Sequence, residues 1–210
     1  KAHLEGIGGV EGVIQGKSEM YEYLVKNKKT AFINLEDPIQ VDKSKAIQSF
    51  TFGLNKEGAD IKIRSVEANP FVAIRYDGFA VQSNLIGLYN ANNINAAVAI
   101  GTYFKVADSD IKSAIEAYTP DNNRSQLLKK GSNQIILDAY NANPSSMAVA
   151  IANFIQLDNQ NKIMILGDMF ELGNESEQEH KIIVDAVVGQ DQSVCYLIGK
   201  AFYMHKISNE

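Results

Sequence analysis

The sequence carries one cysteine, Cys195, so no internal disulfide framework holds the chain together and a reducing, cytoplasmic setting is expected. It also lacks an excess of positive charge: 25 acidic against 20 basic residues leave a net charge of −5, with the two signs interspersed. Binding of nucleic acid needs a basic stripe, and none is present, so no such partner is expected. A small acidic or nucleotide-like ligand remains open, because its site needs only a few local charges and dipoles. No apolar run approaches the roughly 18 residues of a membrane span. The opening Lys1-Ala2-His3-Leu4-Glu5-Gly6 has no signal-peptide pattern. It begins without Met and runs straight into a motif, which suggests a chain cut from something longer.

What is present is a length and an apolar content, 210 residues and 45%, that can build a sizeable core in one or two domains. From Val10 the apolar positions Val13, Ile14, Met20, Tyr21 and Leu24 form a helical stripe with Lys17 inside it. Residues 30–35 read as a buried strand stopped by Asp37-Pro38. Over residues 40–82, short apolar runs at 49–52, 61–66, 72–76 and 79–82 are separated by Gly and Asn, which predicts an antiparallel meander. A strand-to-helix junction follows at 85–95, then an Ala-rich helix to about residue 104 and a second helix over 109–118. Thr119-Pro120-Asp121-Asn122-Asn123 has the composition of a domain boundary. Beyond it strands at 134–137, 162–166 and 194–198 alternate with helices at 144–157 and 176–188. Such spacing predicts βαβ units and a parallel sheet that the chain leaves unfinished.

Four places could carry chemistry. Lys17 sits where its helix should face a core, so it either snorkels to water or is buried and inclined to lose its charge. His3 stands near the glycines Gly6, Gly8, Gly9 and Gly12, and a lone histidine is more often structural than a ligand. Those glycines lack the register of a dinucleotide fingerprint and follow no predicted strand. The turn Gly87-Leu88-Tyr89-Asn90-Ala91-Asn92-Asn93-Ile94-Asn95 holds four asparagines. Helix capping accounts for one of them; the carboxamides also match the donor and acceptor edge of adenine. In Asp138-Ala139-Tyr140-Asn141-Ala142-Asn143-Pro144 a strand closes and a helix opens, with Asn143 as N-cap and Pro144 at the first helical position. Gly167-Asp168-Met169-Phe170-Glu171-Leu172-Gly173 lies at the corresponding end of the next strand. Its two carboxylates could hold an amine or a metal, or simply face water in a loop. Ligands of open α/β sheets bind at such strand ends.

Taken in order, these segments resemble the Mur ligase family, over nearly the whole chain. The match runs through His3-Leu4-Glu5-Gly6, Lys17, Gly87 to Asn90, Asn93, Ala96-Ala97, Arg124, Tyr140 to Pro144, and Leu166 to Gly173. It is strongest to the branch that joins D-alanyl-D-alanine to a UDP-N-acetylmuramoyl tripeptide. The implied fold is α/β: residues 1–119 as the end of a central ATP-binding domain with a mixed sheet, residues 120–210 as an incomplete Rossmann-like domain. The implied chemistry is ATP-driven amide formation through an acyl phosphate in peptidoglycan synthesis. A monomer is expected, with ATP, magnesium, the UDP-linked tripeptide and D-alanyl-D-alanine as partners.

By the same resemblance His3 is a magnesium ligand and Lys17 the lysine that relatives carbamylate. Asn90 and Asn93 contact adenine, Arg124 a phosphate, and Asp138 the ribose. Tyr140, Asn141 and Asn143 line the nucleotide and acceptor side, with Lys17, Arg124 and Asn141 as the catalytic set. Asp168, Glu171 and His180 organise the acceptor pocket. Two departures stand out. Tyr89 occupies a position where many relatives carry histidine. No Gly-x-x-Gly-Lys-[Ser/Thr] phosphate loop occurs in the 210 residues, so the chain alone is expected to be inactive. The rival readings are a Mur-type ligase for another amino acid, a folylpolyglutamate synthase-like enzyme, and a non-catalytic nucleotide-binding module.

Overall fold

The structure is a computed structural model and describes residues 8–159, 161–188 and 193–205. The chain divides into two compact units, Gln15–Leu137 and Lys1–Ile14 with Asp138–Glu210.

The first described element is the helix α1, Gly9–Lys26, as its stripe predicts, but none of its residues is buried. In the Gln15–Leu137 unit a five-stranded sheet follows the order β1 (Ala31–Asn34), β2 (Ser49–Leu54), β3 (Ile61–Ala68), β4 (Phe71–Tyr76), β5 (Phe79–Ile86). Between β1 and β2 the short helix α2, Pro38–Lys43, starts where the sequence reading placed only a stop. Asp37 accepts hydrogen bonds from the Ile39 and Gln40 amides, and Pro38 supplies a helical φ at no loss of a donor.

The antiparallel meander expected over 40–82 holds only from β3 onward. β2 pairs parallel with both β1 and β3, while β3–β4 and β4–β5 are antiparallel. The reason lies in the connection after β2. Asn55 and Gly58 take left-handed φ values of 51° and 78°, which turn the chain back beside its own strand. Asp60 then accepts from both the backbone amide and the hydroxyl of Thr51, each at 2.7 Å, and fixes that return. Asp77-Gly78, with φ of 40° and 84°, makes the tight β4–β5 hairpin that this dipeptide favours.

The helices α3, Ala91–Tyr103, and α4, Asp108–Ala117, cover this sheet. Ile94, Val98 and Ala99 of α3 and Ile111 of α4 pack on Ile61, Ile63, Val72, Ile74, Tyr76 and Val81. Each large apolar side chain so buried contributes about 1.5–3 kcal/mol. The unit closes with a hairpin of β6, Gln126–Lys130, and β7, Asn133–Leu137. Residues 134–137 therefore pair antiparallel with β6, a strand missing from the sequence reading, instead of opening a parallel sheet.

In the other unit the expected βαβ arrangement holds for residues 162–198. β8 (Lys162–Gly167) and β9 (Ser193–Ile198) pair parallel and are joined through α6, Ser176–Val187. α5, Pro144–Gln156, begins at its predicted cap: Asn143 accepts from the Ser146 amide at 3.0 Å, with Pro144 next. At its other end the buried Lys162 donates to the carbonyls of Ile155 and Leu157 at 2.6 and 3.2 Å, satisfying orphan acceptors at the negative end of the helix. Met147, Ile151, Met164, Met169, Ile183, Val184 and Phe202 form the core, the last from the short helix α7, Lys200–Tyr203.

Candidate functional site

The Asn-rich turn is built on Gly87. Its φ of 87° suits glycine, and a Cβ there would meet the Tyr89 ring at 2.4 Å. The chain then forms one 3₁₀ turn over Leu88–Asn90 before α3 begins. Asn90 holds the N-cap position, but its side chain makes no capping bond. Instead its Nδ2 donates to the Ile86 carbonyl at 2.8 Å and to the Ser125 hydroxyl at 3.3 Å, while its Oδ1 accepts from Asn93 Nδ2 at 3.1 Å. Asn90 is thus a bridge and not the capping asparagine. Asn90 is buried; Asn93, bonded to it, is exposed. Arg124 lies exposed on the segment that Asn90 reaches through Ser125.

At the β7-to-α5 junction Asp138, Tyr140 and Asn141 are exposed, Tyr140 by 63%. Asn143 is half-buried by its cap. The carboxyl end of β8 is more tightly built. Asp168 accepts from the amides of Ala201 and Phe202, both at 3.1 Å, and so caps α7 across the sheet. Desolvation raises its pKa, but the hydrogen bonds from those two amides outweigh it and hold the carboxyl below its usual range. His180 is fully buried: its Nε2 accepts from the Met169 amide at 3.0 Å and its Nδ1 lies 2.7 Å from the Ser176 carbonyl. A carbonyl can only accept, so the proton sits on Nδ1 and the ring is neutral. Asp168 and His180 are together, 3.8 Å apart. Glu171 is exposed on the same loop, in a left-handed conformation with φ 61°.

Of the two readings of Lys17, the structure has the solvent-facing one: the side chain is exposed on α1, where no residue is buried. Gly16-Lys17-Ser18 also lies inside that helix, its amides engaged in helical bonds, and so forms no phosphate loop. His3 lies outside the described residues. Among the described residues, no group of three or more His, Cys, Asp or Glu side chains could hold a metal ion. Sequence reasoning missed Ser125, Lys162 and Gly199. Gly199, at a strand end before a helix, carried a readable signal; a lone serine after a linker did not.

These features define a two-unit α/β protein whose polar side chains gather at helix starts and strand ends. The chain belongs to the Mur ligase family: residues 1–101 match the Mur ligase middle domain and residues 123–209 the Mur ligase, glutamate ligase domain. It is 30% identical over 196 residues to the UDP-N-acetylmuramoyl-tripeptide–D-alanyl-D-alanine ligase of Bacillus subtilis, over 86% of this chain and 40% of that one. A crystal structure of MurF from Acinetobacter baumannii matches with a TM-score of 0.79 and 28% identity, over 95% of this chain and 45% of that one. MurF from Thermotoga maritima, solved in complex with ADP, shares the fold at a TM-score of 0.78 and 21% identity, over 96% of this chain and 48% of that one. The chain thus spans less than half the length of these relatives. No helix among the described residues is long and apolar enough to cross a membrane.

Proposed function

We propose that the full-length protein is a cytoplasmic ATP-dependent carbon–nitrogen ligase that adds D-alanyl-D-alanine to UDP-N-acetylmuramoyl tripeptide. The observation that carries this reading is the similarity to the Bacillus subtilis ligase, which spans both units and 86% of the chain. The middle-domain match ends at residue 101 and the next begins at residue 123, a gap that contains the boundary proposed at 119–120, whereas the compact units divide at Leu137 and Asp138. ATP supplies the leaving phosphate that activates a carboxylate toward an amine. In this reading Asn93, held by Asn90, presents its carboxamide to the adenine edge, and Arg124 binds a phosphate. Asp138 meets the ribose, while Tyr140, Asn141 and Asn143 line the nucleotide and acceptor side. Asp168 and His180 hold the loop that offers Glu171 to the acceptor. Magnesium and a carbamate on Lys17 belong to the same reading. Among the described residues no cluster of His, Cys, Asp or Glu side chains is placed to hold that ion.

Phosphate release by the full-length protein with MgATP and UDP-muramoyl tripeptide, across a panel of acceptors, tests the assignment. Release with D-alanyl-D-alanine alone supports it. Release with a single amino acid or glutamate instead replaces the acceptor, and no release with any acceptor overturns it. The 210-residue chain by itself is expected to release none, since it contains no phosphate loop.

A further inference from the structure

The Tyr89 ring lies over Gly87, where no side chain could fit, and its hydroxyl is 2.5 Å from the hydroxyl of Ser125. Ser125 is buried and also takes the donor of Asn90 at 3.3 Å. Two separate side chains from the turn before α3 thus converge on one serine 35 residues or more further on.

That serine belongs to an unusual piece of backbone. Asn123 and Ser125 both adopt left-handed φ, 58° and 49°, and neither is glycine. Asparagine tolerates this region, but a serine there is disfavoured by roughly 1–2 kcal/mol, so the Ser125 conformation persists where side-chain contacts fix it. The position between them is Arg124. The backbone that aims its guanidinium is therefore set by the contact between the Asn-rich turn and Ser125.

We propose that Tyr89 and Ser125 form a latch that fixes the 123–125 backbone, making both positioning residues for the phosphate contact of Arg124. The proposal rests on the reading of Arg124 given above. It assigns Tyr89 a role through Arg124 and none against the base. Asn90 stiffens the latch and links it to Asn93, so the adenine-facing and phosphate-facing groups share one hydrogen-bonded network.

The test compares Tyr89→Phe, Ser125→Ala and Arg124→Ala in the full-length protein. Tyr89→Phe keeps the ring over Gly87 and removes only the hydroxyl, so the melting temperature serves as a folding control. Amide hydrogen exchange over residues 123–126 is expected to speed up in Tyr89→Phe and in Ser125→Ala. ADP affinity is expected to fall about three- to tenfold in either, the span of one lost hydrogen bond. Adding Tyr89→Phe to Arg124→Ala is expected to cause no further loss. Unchanged exchange in Tyr89→Phe contradicts the latch itself. Faster exchange with full ADP affinity, while Arg124→Ala still weakens binding, contradicts the positioning role alone. Faster exchange with full affinity in Arg124→Ala as well removes the phosphate role of Arg124, and the positioning role with it.

Discussion

The carboxylate of Asp168 fills the space that a side chain at Gly199 would need: a Cβ built there lies 2.1–2.3 Å from its three terminal atoms. Gly199 also has a φ of 131°, in the region that favours glycine. The end of β9 and the end of β8 are therefore matched, one giving up a side chain so that the other can cap α7. Gly199→Ala is expected to destabilise the protein by about 2–4 kcal/mol, because Asp168 can yield only by releasing the amides of Ala201 and Phe202. In an Asp168→Ala background the same change is expected to cost clearly less. Urea denaturation of the two single variants and the double variant measures this coupling.

Asp168 also carries a pH dependence. Its pKa is lower in the folded chain, so the stability it contributes is full above the unfolded carboxylate value and lost as pH falls through the folded one. Asp168→Asn is expected to be less stable than the parent at neutral pH and to show a shallower loss below about pH 4. Denaturation midpoints from pH 3 to pH 7 give the comparison.

At the other end of the scale stands Tyr76, fully buried in the sheet core. Burial first, then the Asp108 carboxylate at the start of α4, pushes its pKa up to about 12. Between the unfolded value of about 10 and this one, the folded chain keeps a proton that the unfolded chain has lost, so stability falls as pH rises. Tyr76→Phe is expected to remove that part of the alkaline slope. Thermal melts at pH 9, 10 and 11 compare the two proteins.

His180 ties Met169 to α6 through a ring fixed in one tautomer. His180→Ala is expected to cost about 2–4 kcal/mol, from a cavity beside Phe202 and an unpaired Met169 amide. Nitrogen-15 spectra of the histidine ring are expected to show the proton on Nδ1. A signal from the Nε2–H tautomer contradicts the hydrogen-bond assignment.

Lys17 separates structure from chemistry. It is exposed on a helix without buried residues, so Lys17→Ala is expected to change stability by no more than about 0.5 kcal/mol. In the full-length protein the same substitution is expected to abolish phosphate release, following the resemblance at this position. A large drop in stability with turnover retained reverses both halves of that expectation.

Features that depend on a few neighbouring residues were legible in the sequence. Asn143-Pro144 announced the start of α5, and 162–198 read correctly as strand, helix, strand. Features set by distant partners were not. The parallel pairing of β2 with β3 depends on Asp60 gripping Thr51, nine residues back. The strand β6, Gln-Leu-Leu-Lys-Lys, has no alternating pattern because it is a largely exposed ribbon defined by pairing with β7. In the site, the asparagines were visible as a cluster, but not that Asn90 points to Ser125 across 35 residues of chain. The stripe around Lys17 shows the converse, a pattern that suggested a core-facing helix where the helix buries nothing.

The most direct measurement is the mass of the product formed by the full-length protein from MgATP, UDP-muramoyl tripeptide and D-alanyl-D-alanine. The expected result is a product heavier than the UDP-muramoyl tripeptide by the dipeptide less one water, with one ADP formed per bond. ATP turnover that leaves the tripeptide mass unchanged, or attaches a single amino acid in place of the dipeptide, contradicts it.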